Sequence, residues 1–434
     1  MTHARLPICK QALGGLPALL FFWAIGASAA PAPADFRLAV AHSDNIARSP
    51  DFAAVDETWL EAGVTGTFAV DRARFDAELV TDIAYRKYTS GNFNDEFVGG
   101  ANAKASLQLV GETFIWVAND VYGQSSVNAF ALDSPLNRQS TNFFSTGPEI
   151  SLPVGDRTRI HVTGSWAKAS YETTIIDSTR KTGTLGIERR TSGPMTLRLQ
   201  GSASRVEFDD STTNSPFDVQ EVSLGMHREE ARTTVDAEIG ETMLHNAGKT
   251  NSALLARVTL VRRTSINSTL TLSAGKEYSD SAQFFRLRQL DLGPGGVLGN
   301  ATAAADPLRS TYANLAWVRA ASRSTLRVVV DWRKERRDVA KFLNVERSGV
   351  LVGFNYRMSA LFDGGIFATL RRDEFSTSDT TARERDYGAN LGWRLGPRLR
   401  ATAVYVRTHG TDAILGVGAD ENRITVSFAY AAKR

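Results

Sequence analysis

The chain reads as all-β: a transmembrane antiparallel up-and-down β-barrel of about 20 strands, with 18 also within the count. Three observations predict it. Long stretches alternate apolar and polar residues, connections alternate short with long, and one face of each stretch is too charged for a dry core.

The alternation is clearest from Arg74 to Tyr88. Phe75, Ala77, Leu79, Thr81, Ile83 and Tyr85 fall on one face, and Asp76, Glu78, Val80, Asp82, Ala84 and Arg86 on the other. A helix would scatter those charges, whereas a period of two separates them. The same test places Ile160, Val162, Gly164 and Trp166 opposite Arg159, His161, Thr163 and Ser165. It sets Leu326, Val328, Val330 and Trp332 against Arg327, Val329, Asp331 and Arg333, and Ile424, Val426, Phe428 and Tyr430 against Arg423, Thr425 and Ser427. Thr113 to Gln124 is ambiguous, with apolar residues on both faces near its start.

The connections supply the second signal. Short ones are expected at Asp71-Arg72, Gly111-Glu112, Val154-Gly155-Asp156, Ser192-Gly193-Pro194, Met358-Ser359-Ala360 and Gly396-Pro397-Arg398. Longer ones fall between them, near 89–96, 125–141, 172–180, 209–216, 242–250, 279–309, 337–344, 374–384 and 408–420. Outer-membrane barrels require this rhythm, with tight periplasmic turns and long external loops.

Strands of ~10 residues or more outrun the five or six usual in soluble sheets and suffice to cross hydrocarbon when tilted. Lipid asks only for apolar atoms, so the light Ala, Gly, Val and Leu content of the outer face is acceptable there. The inner face would carry Asp76, Glu78, Asp82, Arg86, Lys104, Arg159, Arg198, Arg327, Asp331, Arg333, Arg347, Arg394 and Arg400, charges that cost several kcal/mol each in a dry core unless paired. Facing a watery lumen they cost little. An open sheet edge has no water to satisfy it in lipid, so the sheet must close. About 20 strands tilted by ~40° make a cylinder roughly 40 Å across, too wide for side chains to fill. Aromatics near strand ends (Trp59, Phe68, Tyr85, Tyr88, Tyr278, Trp332, Tyr356, Trp393, Tyr405, Phe428 and Tyr430) are expected to form interfacial girdles.

The first 29 residues read as a signal peptide. Arg5 and Lys10 precede an apolar run from Ala12 to Ile25, and Ala27 and Ala29 satisfy the small-x-small cleavage rule. The barrel is then 30–434. The lone cysteine, Cys9, lies before the apolar run, so the mature chain is expected to lack thiol chemistry. Without Arg5 and Lys10, 48 basic residues remain against 47 acidic. That balance argues against nucleic acid as a partner, which would need a basic surplus.

A group of short motifs follows in order. They are His42-Ser43-Asp44-Asn45-Ile46, Phe114 to Gln124 (FIWVANDVYGQ), Asn137-Arg138-Gln139-Ser140-Thr141-Asn142, Ser145-Thr146-Gly147-Pro148, Ser170-Tyr171-Glu172 and Asp177-Ser178-Thr179-Arg180. In this order the chain resembles the β-barrel porin group found beside exosortase (PEP-CTERM) and exopolysaccharide gene clusters. The resemblance covers most of the mature chain and is strongest over 36–280. It implies an outer-membrane location, the membrane's lipid and the barrel assembly machinery as partners, and service to polysaccharide export or surface assembly. It transfers no catalytic residue. Many outer-membrane barrels end in an aromatic residue; here the last is Tyr430, four residues inside.

No enzyme, cofactor or metal site is expected. None of the six histidines pairs at metal-ligand spacing, and Gly-x-Ser-x-Gly and P-loop patterns are absent. Gly293-Pro294-Gly295-Gly296 reads as a flexible turn. His161 with Ser165 is the nearest hydrolase-like coincidence on the inner face. A channel is thus the leading expectation. A barrel enzyme acting on lipid or polysaccharide is one alternative, and a non-conducting scaffold or adhesin, plugged by the 279–309 loop, is another.

Overall fold

The structure, a computed structural model, describes residues 34–432 apart from 192, 247, 292–301, 377–378 and 414–415. The first 33 residues, with Cys9 and the expected signal peptide, lie outside the described residues. Twenty strands run in sequence: β1 Ala34–Ser43, β2 Glu57–Arg72, β3 Phe75–Tyr88, β4 Glu96–Val110, β5 Phe114–Ser126, β6 Arg138–Pro153, β7 Thr158–Tyr171, β8 Ser178–Arg190, β9 Met195–Phe208 and β10 Phe217–Glu229. They continue as β11 Thr233–Asn246, β12 Lys249–Ser265, β13 Ser268–Ser279, β14 Leu308–Ala320, β15 Ser324–Arg337, β16 Val345–Arg357, β17 Phe362–Phe375, β18 Thr380–Arg394, β19 Leu399–Thr411 and β20 Gly418–Ala431. One helix, α1 (Ser281–Asp291), interrupts them between β13 and β14.

Every strand pairs antiparallel with its sequence neighbours, and β1 pairs with both β2 and β20. The ladder therefore has no edge, the condition lipid imposes. One end of the cylinder is made of turns of two to four residues, such as 73–74, 154–157 and 358–361. At 154–157 the chain reverses because Gly155 takes φ +79° and the Val154 amide donates to the Thr158 carbonyl at 2.8 Å. The other end carries the longer loops. One expected long loop is absent: β11 runs on to Asn246, opposite Lys249, and only 247–248 join the strands. The polar run around His245 and Lys249 reads as loop in sequence, but strands of 14 and 17 residues rise beyond the hydrocarbon, where polar residues belong on both faces.

Register and alternation assign the faces. Outward rows begin apolar at the turn end and become charged toward the loops. On β15 the order is Leu326, Val328, Val330, Trp332, then Lys334 and Arg336. On β17 it is Phe362, Gly364, Ile366, Ala368 and Leu370, then Arg372. The nine residues from Phe362 to Leu370 at 3.3 Å give roughly 30 Å along the strand, the length a tilted strand uses to cross the hydrocarbon. Of the expected girdle, Phe68, Tyr85, Trp332, Tyr356, Trp393, Tyr405, Phe428 and Tyr430 lie on the outward face. Trp59 and Tyr88 do not. They are paired across β2 and β3 on the inner face and are buried with Ala41, Ile46 and Phe93. Tyr278 is likewise buried, against the lumenal Val206, Phe217 and Leu244. The inward folding of loops makes apolar aromatics useful inside, which strand-end position alone does not show.

Candidate functional site: a lumen narrowed by inward segments

Alternation and pairing put all thirteen of the charged residues singled out above on the inner side of the wall. Glu78 faces Lys104 across β3 and β4, and Arg86 Nε donates to Glu61 at 3.0 Å, with Arg37 on the same carboxylate at 2.9 Å. Asp76 and Asp82 share that face of β3. Glu188 stands between Arg159 and Arg198 in register, and His161 Nε2 lies 2.8 Å from it. Arg327, Asp331 and Arg333 alternate along β15, and Arg347 faces Arg333. The Arg347 Nε lies 3.8 Å from Asp373 and 3.9 Å from Glu335. Arg394 opposes Arg400, which bonds Asp363.

This lumen is crossed rather than open. The segment after β13 turns inward at Asp280, whose carboxylate accepts the amides of Ala282 and Gln283 at 3.0 and 3.1 Å and so caps α1. Asp280 also pairs with Arg180 of β8, which ties the start of the helix to the inner wall. The helix then buries Ala282, Phe284 and Phe285 against Val121, Phe143, Ala167, Ala169 and Tyr171 of β5, β6 and β7, six to eight strands round the wall from its own root. Phe284 is also 4.1 Å beneath the Arg333 guanidinium of β15, so one ring spans two sides. On its return the segment forms a parallel bridge from Thr302 to Ser126, and Arg347 donates to Thr302 at 3.2 Å.

A second inward segment, 127–137, leaves β5 and crosses toward β16–β19. Asn137 holds its shape by accepting the Asn128 amide at 2.7 Å and donating to the Asn128, Ala131 and Leu132 carbonyls. Phe130 packs on Phe375 with centroids 4.4 Å apart, and its carbonyl accepts the Ala413 amide at 3.2 Å. The 44–56 loop also folds in. Arg48, in the left-handed region at φ 49°, donates to Glu384 at 3.0 Å and Glu421 at 2.9 Å. Burial opposes its charge, but the two carboxylates prevail and hold Arg48 above its ordinary pKa.

Space remains beside the helix. A cavity of about 210 Å³ lies between α1 and the wall, with Arg180, Glu221, Arg257, Glu277 and Arg286 among its lining. A second, also about 210 Å³, is lined by Glu188, Arg198, His227, Glu238 and Arg257. Arg257 borders both. Its guanidinium reaches Glu277 at 2.6 Å, Glu238 at 3.1 Å and Glu221 at 3.7 Å. Sequence reading passes over Arg257 and Asp280. Period-two spacing along β12 would have found the first, and an Asp followed by an apolar helical run the second.

His161 and Ser165 do not form a catalytic pair. Four residues of strand separate their Cα atoms by about 13 Å, and the His161 ring is engaged by Glu188. Among the described residues no helix is long and apolar enough to cross a membrane, and crossing is by strands.

A closed antiparallel wall, apolar outside at its turn end and charged within, defines a transmembrane β-barrel of the outer-membrane type. No family model and no curated protein matches the chain. Solved structures similar to it include a mutant of the ferric enterobactin receptor PfeA from Pseudomonas aeruginosa, at 9% identity and TM-score 0.47, covering 93% of this chain and 81% of that one. Another is the siderophore receptor PirA from Acinetobacter baumannii, at 9% identity and TM-score 0.47, covering 92% and 80%. A third is a variant of the FrpB iron transporter from Neisseria meningitidis, at 10% identity and TM-score 0.42, covering 95% and 84%. At such identities the cargo named for those proteins is not carried over to this one.

Proposed function

We propose that the barrel is a restricted channel for small hydrated polar solutes, with α1 as the internal restriction. What supports this most is Arg257, ringed by three glutamates and bordering the cavity beside the helix as well as the one beyond it. A water-lined path with both charge signs favours ions and hydroxyl-bearing molecules over apolar ones, because it offers them replacements for lost hydration. Planar-bilayer recordings test the reading. The full chain should give small stepwise conductance, and replacing 281–304 by a short Gly-Ser linker should enlarge each step. Silence from both proteins would overturn it.

A second reading, the non-conducting scaffold, is favoured by the two segments that cross the lumen, and silence in the recordings would support it. On the family resemblance the system served is surface polysaccharide export. Its test is the amount of extracellular polysaccharide released by cells lacking the protein.

A further inference from the structure

The outer face carries a cluster of arginines remote from the lumen. Just beyond the apolar belt on β17–β19, Arg372 and Arg383 stand directly opposite one another in register, both outward. Arg385 follows Tyr387 outward along β18 and is paired with His409, and Arg407 follows Tyr405 along β19. Directly opposed like charges destabilise a sheet. Two carboxylates offset part of the cluster: Glu374 lies 2.6 Å from Arg372, and Asp420 lies 2.5 Å from His409 and 3.7 Å from Arg407. Among the described residues neither Arg383 nor Arg385 takes part in an ion pair, and both are exposed.

The same height on the far side of the barrel is built differently. There Lys168 pairs with Asp209 at 2.6 Å, and Arg205 with Glu207 at 2.8 Å and Asp218 at 3.8 Å, while Lys181 lies 3.9 Å from Glu207. Cations just above the hydrocarbon are therefore neutralised from within the protein on one side and left over on the other. Below the surplus lie exposed Leu370, Tyr387 and Tyr405. The combination is amphipathic: guanidiniums whose planar forks suit phosphate oxygens, standing over an apolar strip that suits acyl chains.

We propose that Arg372, Arg383, Arg385 and Arg407 bind the phosphates of a phosphorylated glycolipid of the outer leaflet, its acyl chains lying on Leu370, Tyr387 and Tyr405. The test is equilibrium binding of bis-phosphorylated lipid A to the folded full-length barrel in detergent. Two other probes accompany it: the dephosphorylated lipid and inorganic phosphate as competitor. Arg383→Gln with Arg385→Gln should weaken lipid A binding about 10-fold or more. Removing the phosphates from the lipid should weaken binding to the original protein similarly. Arg189→Gln with Arg319→Gln, a like charge loss on the outward face at the turn end, should change nothing. Equal binding by the first pair and the original protein, or equal binding of the dephosphorylated lipid, overturns the proposal. So does displacement by millimolar phosphate, which would assign the arginines to a free anion. Heat-modifiable migration on gels verifies that each variant is folded, and Arg372→Gln with Arg407→Gln provides a second pair if the first is not.

Discussion

Two stretches of the wall share an apolar outer belt, with Trp116, Val162 and Trp166 on one and Val330 and Ile366 on the other, and differ in what their inner faces carry. On β15–β18 the outward row is bulky and apolar, as in Val328, Val330, Ile366, Leu370, Leu391 and Trp393, while the inward row holds Asp331, Arg347, Arg371 and Glu384. On β5–β7 the inward row holds Val121, Phe143, Ala167 and Ala169. The outward row there includes Asp120, Tyr122, Asn142 and Thr146. These outward groups are not bare: Asn142 donates to Asp120 at 2.7 Å, Tyr122 to Ser140 at 3.1 Å, and Trp116 to Thr146 at 2.8 Å. The difference follows from what each inner face meets. Around β15–β18 it carries ion pairs beside a small apolar patch where Phe130 meets Phe375, whereas at β5–β7 it meets Ala282, Phe284 and Phe285 of α1 and becomes a small core. Closure sets which side is inside, and the local neighbour sets what the inner side carries.

That contrast can be broken most strongly at the helix. Phe285 is 1% exposed, and Phe285→Ala should cost the docked helix about 3–5 kcal/mol. The expected readout is larger, noisier conductance from a barrel that still migrates as folded. Next, Val328→Arg on the apolar outer row should cost ~2–4 kcal/mol and impair insertion into vesicles, while Thr325→Arg on the opposite face inserts normally. Equal insertion of the two would refute the face assignment. Arg180→Gln strips Asp280 of its cationic partner and should free the start of α1 by about 1.5–3 kcal/mol, seen as faster proteolysis within 281–307. The smallest effect sharpens the β5–β6 side. Asp120→Leu leaves the Asn142 amide unpaired and should cost ~1–3 kcal/mol in urea unfolding, and adding Asn142→Leu should recover most of it. Additive losses would mean the pair is not a unit.

Much of this was legible in the residues. The two faces of β3, β7, β15 and β20 follow from period two alone, the count of alternating stretches predicts about 20 strands, and the lack of water for an open edge in lipid predicts closure. The ambiguity of Thr113 to Gln124 was a signal of a different kind. Val121, farther along its inner face, is buried against α1, and a sequence pattern records only which residues are apolar, not what covers them. The same blindness explains Trp59, Tyr88 and Tyr278. An aromatic at a strand end suits an interface or an inward-folded loop equally well, and the choice depends on residues far away in the chain, such as Ile46 and Phe217.

The residues alone determined an extended chain with a lipid side, a water side and tight reversals such as those at Gly155 and Gly396, because alternation and turn chemistry act between near neighbours. Tertiary structure alone decided that Asp280 turns the longest loop inward, that Phe284 reaches from one wall to another, and that Arg257 stands among three glutamates. Those contacts join strands up to half the circumference apart, and only closure of the wall brings them within reach.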